Sequence, residues 1–271
     1  MSEGIYVGMS WLDYQKIEAI NWSKLSPYLR SAAHGLRGEL SSKSADYLTF
    51  GQAVHKAVLE PGRFDEDFGT VPEDAPAKRS KDDKAWWARF YAANAGRTML
   101  DADVLRNVKL VAEAVYQHPR ANAMLTVPNN RREVVVVARD PVSGMLGKAR
   151  LDLISQWNGV TYIVDLKNLR DARPYGVAKA IDDYSYHGQL AWYRRLANVV
   201  APWPRECCLI TTEQDPAIAV CYDVEADTLD QGDRDVDLAM SRWIESGKTQ
   251  KWPGYPDGTI GLPAYKLKAR A

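Results

Sequence analysis

Between residues 131 and 168 the chain reads as three apolar strands with very little between them, and this stretch limits the fold more than any other. "RREVVVVARD" runs into the turn "DPVSG", then "MLGKARLDLISQ", then the tight Asn-Gly turn of "WNG", then "VTYIVDLKN". Strands joined this closely must pair antiparallel, because a parallel return needs a crossover of a dozen or more residues. A helical pattern over about 183–199 follows, then strands "ECCLITTE" and "AIAVCYDV" and an amphipathic helix over about 225–246. Helices, meander, helix, two strands and helix predict one α/β domain over 1–271, with a mixed central sheet flanked by helices.

The part before the meander, 1–125, reads as mainly helical. "SWLDYQKIEAI" opens on Ser10 as a cap, "SPYLRSAAHGLRGEL" starts at Ser26-Pro27, and "YLTFGQAVHKAVLEP" stops before Pro61. Two further helices are expected over 82–95 and 101–118, the second ending near His118-Pro119. Residues 62–84 are dense in Pro, Gly and charge and read as one long mobile loop. From Trp252 the tail, part of a segment 247–271, looks irregular. Its Trp and Tyr either pack at a subunit interface or close the core.

At 271 residues, 46% hydrophobic and 26% charged, the chain has the composition of a soluble globular domain with a sizeable core. Its apolar runs are strand-length, which argues against a membrane span. The start "MSEGIYVGMSWLDYQ" lacks a signal peptide's basic and apolar regions, so the expected location is the cytoplasm. Cys207, Cys208 and Cys221 have neither zinc spacing nor a disulfide framework and read as core thiols, with no iron–sulfur cluster expected. The formal net charge is zero, from 35 basic and 35 acidic residues, which speaks against a protein that coats nucleic acid over its whole surface. It leaves room for a local basic channel.

The chemistry gathers at the end of the third strand. In "YIVDLKN", Asp165 and Lys167 are two apart and so project to one face. Taken alone, the pair is either a solvated ion bridge or a catalytic pair. In "GKARLDLI", alternation puts Lys148, Arg150, Asp152 and Ile154 on one face, and a hairpin register can bring Asp152 beside Asp165. Two carboxylates meeting at one point repel unless a cation lies between them. Few oxygen ligands suit Mg²⁺ or Mn²⁺ better than zinc. "YHGQLAWYRRL" places Gln189 and Tyr193 on one helix face, and "FGQAVHKAVLEP" places Gly51 one turn before His55. A half-buried helix face and a satisfied core histidine are the plainer readings of those two.

In order along the chain, G-x-x-x-H, G-x-x-x-x-D, D-x-K and Q-x-x-x-Y resemble the PD-(D/E)xK nucleases of the RecB-like branch. "GMSWLDYQKI", "WSKLSPYLRSAAH", "FGQAVHKAVLEPGRF", "GKARLDLI", "YIVDLKN" and "YSYHGQLAWYRRL" are similar, in order, to the nuclease domain of the RecE (exonuclease VIII) family, from about residue 5 to 200. The resemblance implies a restriction-endonuclease-like core and a Mg²⁺-dependent (or Mn²⁺-dependent) 5′-to-3′ exonuclease on double-stranded DNA ends, leaving 3′ overhangs for recombination with an annealing protein of the RecT type. His55, Asp152, Asp165 and the carbonyl of Leu166 match metal-binding positions, and Lys167 matches the catalytic lysine. Gln189 and Tyr193 match a motif that helps hold the DNA end, and Glu133 is a further acidic contributor. Asn168 stands where the family often has Thr and keeps the capacity to bind phosphate. Relatives form rings around the duplex, which implies a homo-oligomer. In "APAKRSKDDK", Lys78, Arg79, Lys81 and Lys84 suit DNA phosphate contact, or form a solvated loop balanced by Asp82 and Asp83. The acids of "VEADTLDQGDRDVD" read as a solvated helix face. Rival readings are a single-strand nuclease or endonuclease on the same fold, or a DNA-end-binding protein with a decayed site.

Overall fold

Five of the six strands of the main sheet fall where the apolar runs end in turns. The computed structural model describes residues 2–40, 46–201 and 206–261, so residues 262–271 of the tail lie outside the described residues. The first half holds β1 (Gly4–Tyr6), α1 (Trp11–Lys16), α2 (Trp22–Leu25), α3 (Ala32–Leu40), α4 (Asp46–Leu59) and α5 (Phe64–Asp67). β2 (Phe68–Thr70), α6 (Lys81–Ala93), β3 (Thr98–Leu100), α7 (Ala102–Gln117) and α8 (Pro119–Thr126) follow. The second half holds β4 (Arg131–Arg139), β5 (Leu146–Trp157), β6 (Val160–Asn168), α9 (Pro174–Asp183) and α10 (Tyr186–Val200). β7 (Glu206–Gln214), β8 (Ala217–Asp223) and α11 (Ala226–Thr249) complete it.

The main sheet runs β1-β4-β5-β6-β7-β8, antiparallel throughout except for the parallel pair β6–β7. The tight turn into β6 is Asn158-Gly159, both left-handed at φ 49° and 79°, the geometry a two-residue hairpin needs. The parallel step from β6 to β7 is made through α9 and α10, as parallel pairing requires. α10 and α11 cover one face, over a core that includes Ile163, Leu190, Trp192 and Leu209. α4, α7 and α8 cover the other, around Val54, Val108, Val111, Val164 and Ile210. β4 is buried on both sides from Val134 to Ala138, which explains an unbroken Val run where an alternating pattern would mark one wet face.

Alternation breaks once, in β4 and β5 at the same level. Val134 and Val136 share the α10-side core with Ala149 and Leu151, while Val135 and Val137 face α1 with Tyr14 and Ile17. Leu151 and Leu153 are two apart, yet Leu153 joins the α4-side core and Ile154 joins the α10-side core. The flip falls between the pairs Val134↔Leu151 and Arg132↔Leu153, at Glu133 and Asp152. Glu133 there has φ 52°, a left-handed conformation that costs a non-glycine residue roughly 1–2 kcal/mol. Lys148, Arg150, Asp152 and Ile154 therefore do not share one face, as strict alternation would require. Lys148 donates to the carbonyls of Tyr14 and Ile17, each at 2.8 Å, and Ile154 packs on the opposite side.

Other expectations also need correction. Residues 62–84 are not one loop: they contain α5, β2 and the start of α6. Ser80 Oγ accepts from Asp83 N and the Asp83 carboxylate accepts from Ser80 N, a capping box that starts the helix at Lys81. Lys81 and Lys84 are thus helical, and Lys78 and Arg79 lie on the turn before. The helix expected over 183–199 is α10; a further helix that the sequence reading did not separate out, α9, begins at Pro174, and Ser185 at φ 54° divides the two. The acids of α11 are not simply solvated, since Asp233 and Asp237 pair with Arg194 and Arg195, and Asp235 meets His187 at 2.9 Å. Trp252 packs against the α10-side core. Cys207 and Cys208 are buried free thiols, and Cys221 is half-buried. No described helix is long and apolar enough to cross a membrane.

Candidate active site

The site grows out of the point where β5 and β6 part. Their pairing ends at Leu153↔Val164, and one more step in that register would set Asp152 opposite Asp165. Beyond it, β6 continues beside β7 alone, pairing Asp165↔Leu209 through Asn168↔Thr212. The Asp152 carboxylate fills the opening: Oδ2 accepts from the Leu166 N–H at 2.8 Å, a donor that the departing strand no longer serves. The side chain of Asp152 is thereby fixed in the gap.

α4 supplies the next group. Phe50, Ala53, Val54 and Val58 bury its apolar stripe, which turns His55 toward the sheet. His55 Nε2 lies 3.0 Å from Asp152 Oδ1, and Nδ1 lies 3.4 Å from Glu133 Oε1. The left-handed backbone at Glu133 brings its carboxylate to this level, and Arg150 Nε donates to Oε2. A Cβ at Gly51, one turn before His55, would meet nothing within 4 Å, so this flank of the site is open space.

Asp165 is 1% exposed and faces α10. Gln189 Nε2 lies 3.5 Å from Asp165 Oδ1 and donates to the Tyr193 hydroxyl at 2.6 Å. Asp165 Oδ2 forms an ion pair with Lys167 Nζ, which also sits 4.7 Å over the Tyr186 ring. The Asp–Lys pair at the strand tip is therefore buried among other ionisable groups and is no solvated surface bridge. Asn168 Oδ1 accepts from the Thr212 hydroxyl at 3.1 Å.

Electrostatics follow from crowding three carboxylates into a poorly solvated space. Burial opposes charge on His55, but Asp152 and Glu133 outweigh it and raise its pKa to about 9. Burial pushes Asp165 up to about 6, with Asp152 adding to the rise and Lys167 opposing it. Burial also raises Glu133, whereas at Asp152 burial is overcome by His55 and Lys167, and its pKa falls. For Lys167, burial is outweighed by Asp165 and Asp152, which keep the ammonium charged. Burial raises Tyr193 well above the usual phenol value, so it is a neutral hydroxyl.

Ligand atoms of His55, Glu133 and Asp152 lie within 4.8 Å of one another, the spacing a single cation needs. Glu133 Oε1 and Asp165 Oδ2 are buried with no partner at full hydrogen-bonding geometry: the first faces only the His55 ring at 3.4 Å, and the second only the Lys167 ammonium of its ion pair. Buried carboxylate oxygens left in that state are costly, and a divalent ion would satisfy them. Oxygen donors with one imidazole suit Mg²⁺ or Mn²⁺. Of the residues expected at the site, His55, Glu133 and Asp152 form one group of contacts and Asp165, Lys167, Gln189 and Tyr193 a second, close enough that Asp152 acts electrostatically on Asp165. Glu133 belongs to the metal-spaced group, while Asp165 stands next to it with Lys167 and Gln189. Leu166 meets Asp152 through its N–H. Lys78, Arg79, Lys81 and Lys84 contact none of these groups among the described residues.

Two participants carried no assigned role in the sequence. Arg150 holds Glu133, and Tyr186 underlies Lys167. Their signals were present in "GKARLDLI" and "YSYHGQLAWYRRL", but only the strand flip and the α9–α10 break give them partners.

With this geometry in hand, comparison with known proteins is decisive for the fold. A model of the family described as "PDDEXK-like domain of unknown function (DUF3799)" matches residues 22–259. The chain belongs to this family. Its mixed sheet with flanking helices is the PDDEXK-like nuclease fold. A crystal structure of a "Putative exonuclease" from Eubacterium rectale is similar at TM-score 0.59 and 12% identity, covering 98% of this chain and 100% of that one. An alkaline exonuclease (LHK-Exo) from Laribacter hongkongensis aligns at TM-score 0.29 and 10% identity over 64% of this chain and 86% of that one. No curated protein matches. The PDDEXK-like fold supports nuclease activity, and nucleases of this fold usually use divalent metals.

Proposed function

We propose that this chain is a divalent-metal-dependent 5′-to-3′ exonuclease on double-stranded DNA ends. It would leave 3′ single-stranded overhangs for recombination by single-strand annealing. The observation that carries this reading is the meeting of His55, Glu133 and Asp152 beside the Asp165–Lys167 pair, where β5 and β6 part. A bound Mg²⁺ or Mn²⁺ would supply charge stabilisation at the scissile phosphate and a more acidic water. His55, Glu133 and Asp152 would hold it, with Asp165 and the Leu166 carbonyl as the further ligands that the family resemblance implies.

The remaining roles belong to the chain's own groups. The Lys167 ammonium orients the attacking water and stabilises negative charge growing on the phosphate. Gln189 and Tyr193 fix Asp165 from α10, and Asn168 stands at the strand tip toward the DNA backbone. Water adds to phosphorus, the P–O3′ bond breaks, the 3′ oxygen takes up a proton, and a 5′-phosphorylated nucleotide leaves. Lys78, Arg79, Lys81 and Lys84 contact DNA phosphates. A RecT-type annealing protein would receive the overhang, and a ring-shaped homo-oligomer would keep the enzyme on the duplex.

The test is digestion of 5′-phosphorylated, 5′-hydroxyl and covalently closed circular duplexes in Mg²⁺ or EDTA, beside Asp165→Ala. Loss of one strand from linear ends, only with Mg²⁺ and only in the wild type, is expected. Cutting of circles would replace the exonuclease by an endonuclease. Binding of ends without cutting would leave an end-binding protein.

A further inference from the structure

α6 is a helix without a core. Among the described residues of this helix none is buried, and Trp86, Trp87, Phe90 and Tyr91 belong to none of the three buried clusters. They pack on one another instead. Trp86 and Phe90 stack with ring centroids 5.2 Å apart and planes 8° from parallel, and Trp87 lies 5.4 Å from Tyr91. At helical spacing the pairs 86/90 and 87/91 form one stripe. Tyr91 is 47% exposed. The turn before the helix braces one side: Trp87 Nε1 donates to the Pro76 carbonyl at 2.8 Å, and Lys78 Nζ sits 4.2 Å over the Trp87 ring.

Charge says what such a stripe fits. Between residues 78 and 93 stand Lys78, Arg79, Lys81, Lys84 and Arg89 against Asp82 and Asp83. Asp83 is committed to the capping box. The side chains of Arg79, Lys81, Lys84 and Arg89 are exposed and have no ion pair or hydrogen bond among the described residues. On the helix, Lys84 and Arg89 border the aromatic stripe on opposite sides. Cores of protein–protein interfaces are depleted in Lys, and two such stripes facing each other would set like charges together. Aromatic rings flanked by unpaired cations instead match a strand whose bases are free to stack and whose phosphates are negative.

We propose that α6 is a binding site for single-stranded DNA. Bases stack on the Trp86–Phe90 edge and on Tyr91, and Arg79, Lys81, Lys84 and Arg89 hold the phosphates, with no preference for sequence. This deepens the nuclease reading and rests on it for its biological sense, since resection exposes a single strand. The binding itself does not depend on cleavage.

The test measures fluorescence anisotropy of a labelled oligo-dT in EDTA, with the whole chain carrying Lys167→Ala as background. Phe90→Ala should weaken binding about tenfold, the loss of roughly one stacked base. Lys84→Glu with Arg89→Glu changes only exposed side chains. It should weaken binding further and flatten the salt dependence, with circular dichroism and thermal midpoint unchanged. Wild-type affinity in both variants would overturn the proposal. So would a change of oligomeric state by sedimentation with DNA affinity intact, because the stripe would then meet a second copy. If α6-dependent binding appears but Mg²⁺ digestion of duplex does not, the nuclease reading fails and this inference stands. The reverse result separates them the other way.

Discussion

The strand tips at Asp152 and Asp165 and the helix α6 both crowd unusual side chains together, but by opposite means. At the strand tips, charge is gathered inside the fold: Asp165 is 1% exposed, with Gln189 of α10 beside one carboxylate oxygen and Lys167 beside the other. At α6, apolar rings are gathered outside it, on a helix with no fully buried residue, where Trp86, Trp87 and Phe90 are half-buried and Tyr91 is exposed. The first arrangement costs stability and persists because the sheet and α4 over-determine it. The second costs little and contributes little. Burial holds groups to a geometry fit for chemistry, and exposure leaves groups free to meet a large partner.

The sharpest way to break this contrast is to remove one group from each side. Lys167→Ala should reduce the rate of duplex digestion by about 10²–10³, as loss of a charge-stabilising group in a closed site does. Phe90→Ala should alter single-strand binding while leaving the fold intact. Equal losses of cleavage from the two would end the distinction. Stability should separate them next. Leu151→Ala, at a fully buried position, should cost about 2–5 kcal/mol in urea unfolding, against under ~0.5 kcal/mol for Arg89→Ala.

The buried charges also predict a pH dependence in metal-free protein. His55 has a folded pKa of about 9, above its ordinary value of 6.5. The folded state therefore binds the proton more tightly, and this stabilisation is full below about pH 6.5 and lost as pH rises through about 9. Thermal midpoints in EDTA should fall over that window, and His55→Gln should flatten the fall. The smallest effect concerns the thiols. Burial pushes Cys207 up to about 12, whereas the hydrogen bond with Cys208 lowers the half-buried Cys221. Iodoacetamide at pH 8 should label Cys221 first, and Cys207 only after unfolding.

Much of this was legible in the sequence, for physical reasons that differ by element. The meander was readable because Val runs and an Asn-Gly turn leave one way to pair, and its register set Asp152 against Asp165. His55, Gln189 and Tyr193 were readable as positions on helix faces. The place of Glu133 was not, because it depends on a left-handed residue that reverses the alternation, and no residue type announces that. β2 is three residues long and carries no period, so the stretch 62–84, dense in Pro and Gly, read as loop; β3, equally short, lies between the two helices expected over 82–95 and 101–118. The capping box at Ser80 and Asp83 starts α6 at Lys81, one residue before the helix expected from residue 82.

Calorimetric titration of Mn²⁺ into the protein, with Asp152→Asn and Glu133→Gln beside it, tests the central claim most directly. The account predicts saturable binding to the wild type and its loss or marked weakening in both variants, since each removes an anionic ligand from a group set within 4.8 Å. Undiminished binding in both variants, or Mn²⁺-independent cleavage of DNA, would contradict it.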